Sequence, residues 1–229
     1  MKILCCILSY EITKGMKSRG PIGLLKKNDR TEELLLKQIK FIDKFFKKND
    51  TYVITGFGSD KITKKLPAHV STIFNDRFNQ ANQAYAIKLL LKNLSDSIHK
   101  YDGIFILSAD ILLRNLPSLS FDESWIITKN KHSRQTEDYL LGAGLDKDQK
   151  LHTIFYNVSN LLWCNVVYFC RKDLSEMICN IDRYYDNMFL FEMLNKSIDL
   201  FDVNIRNYTL NSSSDCTVVR GPKDKYKIT

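Results

Sequence analysis

The stretch Gly103-Ile104-Phe105-Ile106-Leu107 is apolar at every position and gives way within three residues to a carboxylate, Asp110. A strand with one wet face alternates apolar and polar side chains, so an unbroken run predicts a strand covered on both faces. Such strands belong to parallel sheets, whose crossover helices close both sides. In open sheets of that kind, ligands bind beyond the carboxyl ends of the strands. Asp110 is delivered to that place and is the first candidate for a metal ligand. The competing reading is an aspartate that caps the following turn.

A chain of 229 residues with a hydrophobic fraction of 44% can bury one sizeable α/β core. We expect a single domain over residues 1–229, with a nucleotide-binding half at 1–115 and an acceptor-binding half at 116–229. Lys plus Arg exceed Asp plus Glu by 34 − 26 = 8, which biases the protein toward phosphates, nucleotides or nucleic acid. Much of that lysine sits in pairs (Lys26-Lys27, Lys47-Lys48, Lys64-Lys65) that read as solvated helix faces. The cysteines at 5, 6, 164, 170, 179 and 216 form neither a CxxC pair nor a disulfide scaffold, which points to reduced thiols and a cytoplasmic protein. The apolar N-terminal run ILCCILSY is too short to span a membrane.

Strands are expected at Lys2–Tyr10, Thr51–Thr55, Val70–Phe74 and Gly103–Leu107. Between them, helices are expected at Thr31–Lys48, Ser59–Leu66 and Asn82–Leu94. Asp29 or Thr31 would cap the first helix, with Glu32 and Glu33 in its first turn, and Asn82 would cap the third. This alternation predicts a Rossmann-like, mostly parallel sheet with helices on both sides. The second half reads as an antiparallel embellishment: strands at Ser124–Thr128 and Leu161–Cys170, and a hairpin within Tyr139–Ile154 turning at Asp146-Lys147-Asp148. Helices at Asp173–Asp182 and Tyr185–Lys196 and a last strand at Phe201–Tyr208 complete it.

Three segments carry the candidate chemistry. The loop after the first strand contains Gly15-Met16-Lys17-Ser18-Arg19 and then Pro21-Ile22-Gly23-Leu24-Leu25. Its backbone N–H groups could wrap phosphate oxygens while Lys17 and Arg19 neutralise charge. The second segment, Ile73-Phe74-Asn75-Asp76-Arg77-Phe78 leading to Asn82-Gln83, places amides where a base or sugar edge would lie. The third is Leu107-Ser108-Ala109-Asp110. His69, His99, His132 and His152 share no metal-ligand spacing. Trp125, Trp163, Tyr156 and Phe155 either pack in the core or line an acceptor pocket around a choline-like cation, with Lys129 and Lys131 offering charge to an acceptor phosphate.

In this order the parts resemble the sugar-phosphate and phosphocholine nucleotidyltransferases, whose sheet is of the glycosyltransferase-A type. GMKSR with PIGLL is similar to the family's glycine loop and the Pro-Lys that follows it. YVITGFGSDKITKKL resembles its second strand and turn, IFNDRFNQANQAYAI its asparagine-rich segment, and FILSADILLRN the strand carrying its metal aspartate. The likeness spans most of residues 2–115. It departs at Lys17, which stands where the second glycine would be, and at Ile22, which replaces a phosphate-binding lysine; Lys17, Lys26 or Lys27 would have to supply that charge.

The resemblance implies transfer of NMP from an NTP, CTP among the candidates, to a small phosphorylated acceptor with release of pyrophosphate. It implies Mg²⁺ held by Asp110 and a second aspartate, Asp215 in SSSDCTVVRGPKD, with Asp224 and Asp202 as competitors for that role. Catalytic roles fall to Arg19, Lys17 and Asp110, and nucleotide binding to Gly15, Ser18, Arg19, Asn75 and Asn82. The alternatives are a glycosyltransferase of the same fold using a nucleotide-sugar donor, and a basic module that binds polyanions without catalysis. Nucleic acid is not expected as a partner, because aromatic and basic residues do not interleave as they do in RNA-binding modules. A homo-oligomer stays open.

Overall fold

The apolar run that ends near Asp110 forms an interior strand, and the sheet around it sets where every candidate residue sits. The computed structural model describes residues 1–131, 141–156 and 159–228; His132 and Tyr139 lie outside the described residues. Along the chain come β1 (Ile3–Ser9), α1 (Leu34–Phe45), β2 (Asn49–Thr55), α2 (Ser59–Thr63), β3 (Ser71–Phe74), α3 (Gln83–Asn93), β4 (Gly103–Ser108) and β5 (Ile111–Leu113). The second half adds β6 (Ser124–Asn130), β7 (Leu141–Leu145), β8 (Leu151–Tyr156), β9 (Leu161–Cys170), α4 (Arg171–Cys179), α5 (Leu190–Phe201), β10 (Ile205–Leu210) and β11 (Cys216–Val218). No helix among the described residues is long and apolar enough to cross a membrane.

The main sheet runs β10-β6-β9-β4-β1-β2-β3, with β1, β2, β3 and β4 mutually parallel and β9 inserted antiparallel between β4 and β6. The hairpin β7–β8 joins beside β9, its turn at Asp146–Gln149 closed by the Asp146 carboxylate accepting from the N–H groups of Asp148 and Lys150. The period-2 geometry of β1 divides its side chains between two cores. Leu4, Cys6 and Leu8 belong with α3 and α5; Ile3, Cys5 and Ile7 belong with α1. Both faces are therefore covered, as an uninterrupted apolar strand requires.

Several boundaries differ from the sequence expectation, each for a local reason. Helix α1 begins at Leu34 and is capped by neither Asp29 nor Thr31, because the Thr31 hydroxyl bonds the Asn28 carbonyl and holds that stretch as a turn. Helix α4 stops at Cys179, and a 3₁₀ turn covers 181–183. Helix α5 starts at Leu190, where the Glu192 carboxylate reaches back to the Phe189 N–H, and continues through Phe201, which was expected in a strand. Asp202 then ends it in the left-handed region, and β10 follows from Ile205. The small antiparallel ribbon of β5 and β11 was not foreseen, and it carries the C-terminal segment to the site.

Trp125 is fully buried among Phe105, Phe121, Tyr168 and Tyr208, and Trp163 is also interior, so both belong to the core and not to an acceptor pocket. Tyr156 lies exposed against Phe191, and Phe155 packs over Gly142. Lys129 is buried with its ammonium on the Cys216 carbonyl, which commits it to the interior.

Candidate active site

The parallel strands β1 and β4 end side by side, Leu8 opposite Ser108, and the residues just beyond them open a cleft of about 460 Å³. Its walls are Ser9, Glu11, Ile12, Thr13 and Lys14 from the β1 side, Pro21 and Ile22 from the returning loop, and Ser108 and Asp110 from β4. This is the carboxyl-end crevice that the sheet topology predicts as a binding site.

Two residues of this cleft, Ser9 and Asp110, bury a polar side-chain atom that no protein group satisfies. Such atoms are costly to bury and are normally paired. Among the described residues, the buried side-chain atoms without a partner are Ser9 Oγ, Tyr10 Oη, Gln38 Oε1, Asn75 Nδ2, Asp110 Oδ1 and Trp125 Nε1. Ser9 and Tyr10 follow or end β1, Asn75 follows β3 and Asp110 follows β4, so four of the six lie at the carboxyl ends of the parallel strands. A larger recess of about 570 Å³ between α3 and the 178–186 segment has none of these atoms in its walls. A polar ligand is what would complete the hydrogen bonding of the β1–β4 cleft.

Asp110 stands in a turn held by backbone bonds on two sides. The Ala109 N–H donates to the Leu8 carbonyl (2.9 Å), and the Val219 N–H donates to the Asp110 carbonyl (2.8 Å). Burial pushes its carboxyl above the usual aspartate range, while the Ser108 hydroxyl, its own backbone N–H and the Arg220 charge draw it partly back. Glu11 is raised too, first by the protein crowded around the cleft and then by the negative charge of Asp110, although the residue as a whole is open to solvent. Two carboxylates thus line one cleft and repel each other, an arrangement that a cation would relieve.

Asp215 does not join them. The β5–β11 register pairs Cys216 with Leu113 and Val218 with Ile111, which puts Asp215 beside Arg114 and Val219 beside Asp110. Asp215 is four positions along the ladder from Asp110 (114 − 110), about 13 Å at roughly 3.3 Å per residue. Its carboxylate accepts from the Asn115 amide. Asp224 accepts from the Arg220 N–H and pairs with Lys227, and Asp202 ends α5 ahead of the edge strand β10. The residue that the fold brings to Asp110 from the C-terminal segment is Arg220, and the second carboxylate of the cleft is Glu11.

The glycine loop is also placed differently from expectation. Gly15 and Gly20 have positive φ (77° and 102°), and the buried Met16 anchors a tight turn, its carbonyl accepting from the N–H groups of Arg19 and Gly20. Lys17, Ser18 and Arg19 are exposed and contribute nothing to the cleft walls, whereas Lys14 does. Ile22, which stands where the resemblance expects a lysine, is a cleft residue, so the apolar substitution falls inside the site. Lys26 is not at hand to replace it, being paired with Glu33 at 3.2 Å.

Asn75 is fully buried at the end of β3; its Oδ1 accepts from the Arg77 N–H and its Nδ2 has no partner. Asn82 occupies the N-cap position of α3 but its side chain caps nothing. Its amide donates to the Asn187 carbonyl and its N–H to the Asp186 carbonyl, lacing the two halves together. Ser9, Glu11, Lys14 and Arg220 are not among the residues expected from the sequence. A signal for the first two was present in the polar residues directly after a buried strand; nothing local marks Arg220.

The chain superposes over its whole length on CTP:phosphocholine cytidylyltransferase from Streptococcus pneumoniae, with a TM-score of 0.77, 16% identity and 98% of that chain covered. The chain has the nucleotidyltransferase fold. The inositol-1-phosphate CTP transferase of T. maritima shares this fold at a TM-score of 0.71 and 12% identity, over 96% of this chain and 90% of that one. A nucleoside-diphosphate-sugar pyrophosphorylase from Vibrio cholerae RC9 matches at 0.71 and 12%, over 100% and 99%. No protein-family profile matches the sequence, and no curated protein matches it closely. The likeness to these neighbours is thus one of fold, between sequences that share few residues.

Proposed function

We propose that the protein is a divalent-metal-dependent nucleotidyltransferase, moving NMP from an NTP to a small phosphorylated acceptor such as a sugar 1-phosphate or phosphocholine. The observation that carries this reading is the pair of unpartnered buried oxygens, Ser9 Oγ and Asp110 Oδ1, in the cleft at the β1–β4 strand ends. CTP is the first donor to test, since the pneumococcal and T. maritima neighbours are named for it.

In this reaction an acceptor phosphate oxygen attacks the α-phosphorus, the bond to the β-phosphate oxygen breaks, and pyrophosphate leaves. The attacking oxygen is already ionised, so the protein needs no general base and acts by positioning and charge. The donor set fits Mg²⁺, which takes one or two carboxylates and fills its remaining positions with water and phosphate oxygens. Asp110, with Oδ1 unpartnered, would hold the ion, and Glu11 is the neighbouring carboxylate. When bound, the ion neutralises the phosphates and aligns the α-phosphate. Lys14 and Arg220 take the charge of the pyrophosphate end, and Ser9 with the loop N–H groups orients the triphosphate.

The test is Mg²⁺-dependent release of pyrophosphate from each NTP with a panel of sugar 1-phosphates, inositol 1-phosphate and phosphocholine. Release with one pair establishes donor and acceptor together. Appearance of nucleoside diphosphate from a nucleotide-sugar instead would transfer the chain to glycosyl transfer. Within this scheme the cleft-lining lysine matters more than the exposed ones: Lys14→Ala should raise KM for NTP about tenfold, the value of one charge-assisted hydrogen bond. Arg19→Ala should change KM by about twofold or less, as suits a screened surface charge.

A further inference from the structure

Helix α1 buries Leu34, Leu35, Gln38, Ile39 and Ile42, so one amide sits in an otherwise apolar face. Gln38 is 1% exposed, yet its Oε1 has no partner, a cost that an apolar residue of the same size would avoid. What the amide does is donate. Its Nε2 bonds the Ser108 carbonyl at 2.9 Å and also bonds the Ile111 carbonyl.

Those two carbonyls bracket Ala109 and Asp110, the break between β4 and β5. The turn is therefore held from three directions: by β1 through the Ala109 N–H, by the C-terminal segment through Val219, and by α1 through Gln38. The first two are backbone bonds and involve no side-chain atom. The third depends on one residue, and it fixes both ends of the turn to the same nitrogen.

We propose that Gln38 is a positioning residue: its amide clamps the Ser108–Ile111 turn so that the unpartnered Asp110 carboxylate oxygen points into the cleft. The proposal rests on the reading of Asp110 as the ligand of a divalent ion. Gln38 touches neither ion nor substrate; it acts as the outer-shell partners of metal ligands do, whose loss commonly costs ten- to a hundredfold in affinity.

The test is Mn²⁺ affinity, measured by titration followed by electron paramagnetic resonance on the full chain, without turnover. Gln38→Met keeps the volume and removes both donors. It should bind Mn²⁺ about tenfold more weakly or worse, while Ile39→Val, on the same buried face, should retain wild-type affinity at a comparable melting temperature. Wild-type affinity in Gln38→Met overturns the proposal, as does equal weakening in Ile39→Val. If the wild type binds no Mn²⁺, or Asp110→Asn binds it equally well, the metal reading falls and the proposal with it. Should Gln38→Met not fold, the wild-type Gln38 side-chain amide resonances decide: a shift on adding Mg²⁺ and NTP supports the clamp, and no shift rejects it.

Discussion

Asp110→Asn is expected to lower the rate of pyrophosphate release by about 10²–10³-fold, the usual consequence of removing one transition-state electrostatic partner, without unfolding the protein. Asparagine keeps the shape of the residue and the backbone bonds to Leu8 and Val219, and discards the charge on which an ion and a triphosphate would depend. The same substitution should leave the melting temperature at pH 7 equal to or above that of the wild type. The reason is linkage. Burial raises the Asp110 carboxyl above its unfolded value, so the folded state binds this proton more tightly and its ionised form weighs against folding above that range. The penalty is full above the raised value and fades as pH falls toward the ordinary aspartate range, about 3.9. The stability advantage of Asp110→Asn should shrink along the same path. A large loss of stability at pH 7 with activity intact would make Asp110 a structural turn residue and would remove it from the site.

The second large effect concerns stability alone. Gly103→Ala should destabilise the fold by about 3 kcal/mol and lower the melting temperature by roughly 6–12 °C for a chain of this size. A Cβ at position 103 would meet the Phe169 carbonyl at 2.5 Å and would press on the Tyr168 hydroxyl. That hydroxyl shares its one proton between the carbonyls of Phe121 (3.1 Å) and Asp102 (3.3 Å), which ties β9 to the residues just ahead of β6 and β4. Trp125 and Phe121 pack on the same ring, so a shift of Tyr168 is passed into the aromatic cluster. Tyr168→Phe in the same chain should recover only part of the loss, because the clash with the backbone carbonyl remains. Thermal melts of the single and double variants check this, and full recovery would show that the side chain alone made the contact.

How much of this was legible beforehand follows from the range of the forces involved. The buried strands Ile3–Ser9 and Gly103–Ser108, the α1 stripe and the turn at Asp146 were visible because each is encoded by neighbours within a few residues. The end of α5 was misjudged because Phe201 suits a strand as well as a helix, and the left-handed Asp202 that decides the matter has no local mark. Nothing local marks Gln38; its role exists only because the Ser108 and Ile111 carbonyls, 70 and 73 residues away, come within reach of its amide.

The chain by itself determined the parallel α/β core, the delivery of Asp110 to a strand end and the order of parts that resembles nucleotidyltransferases, since apolar periodicity is a local record of which faces are buried. Tertiary structure alone decided the company Asp110 keeps. A ladder register is set by pairing between segments a hundred residues apart, and here it sends Asp215 along the ribbon to Asn115 and brings Val219 and the charge of Arg220 to Asp110. One-residue differences in such a register move a side chain by more than 3 Å and to the opposite face, a distinction that no short stretch of sequence contains.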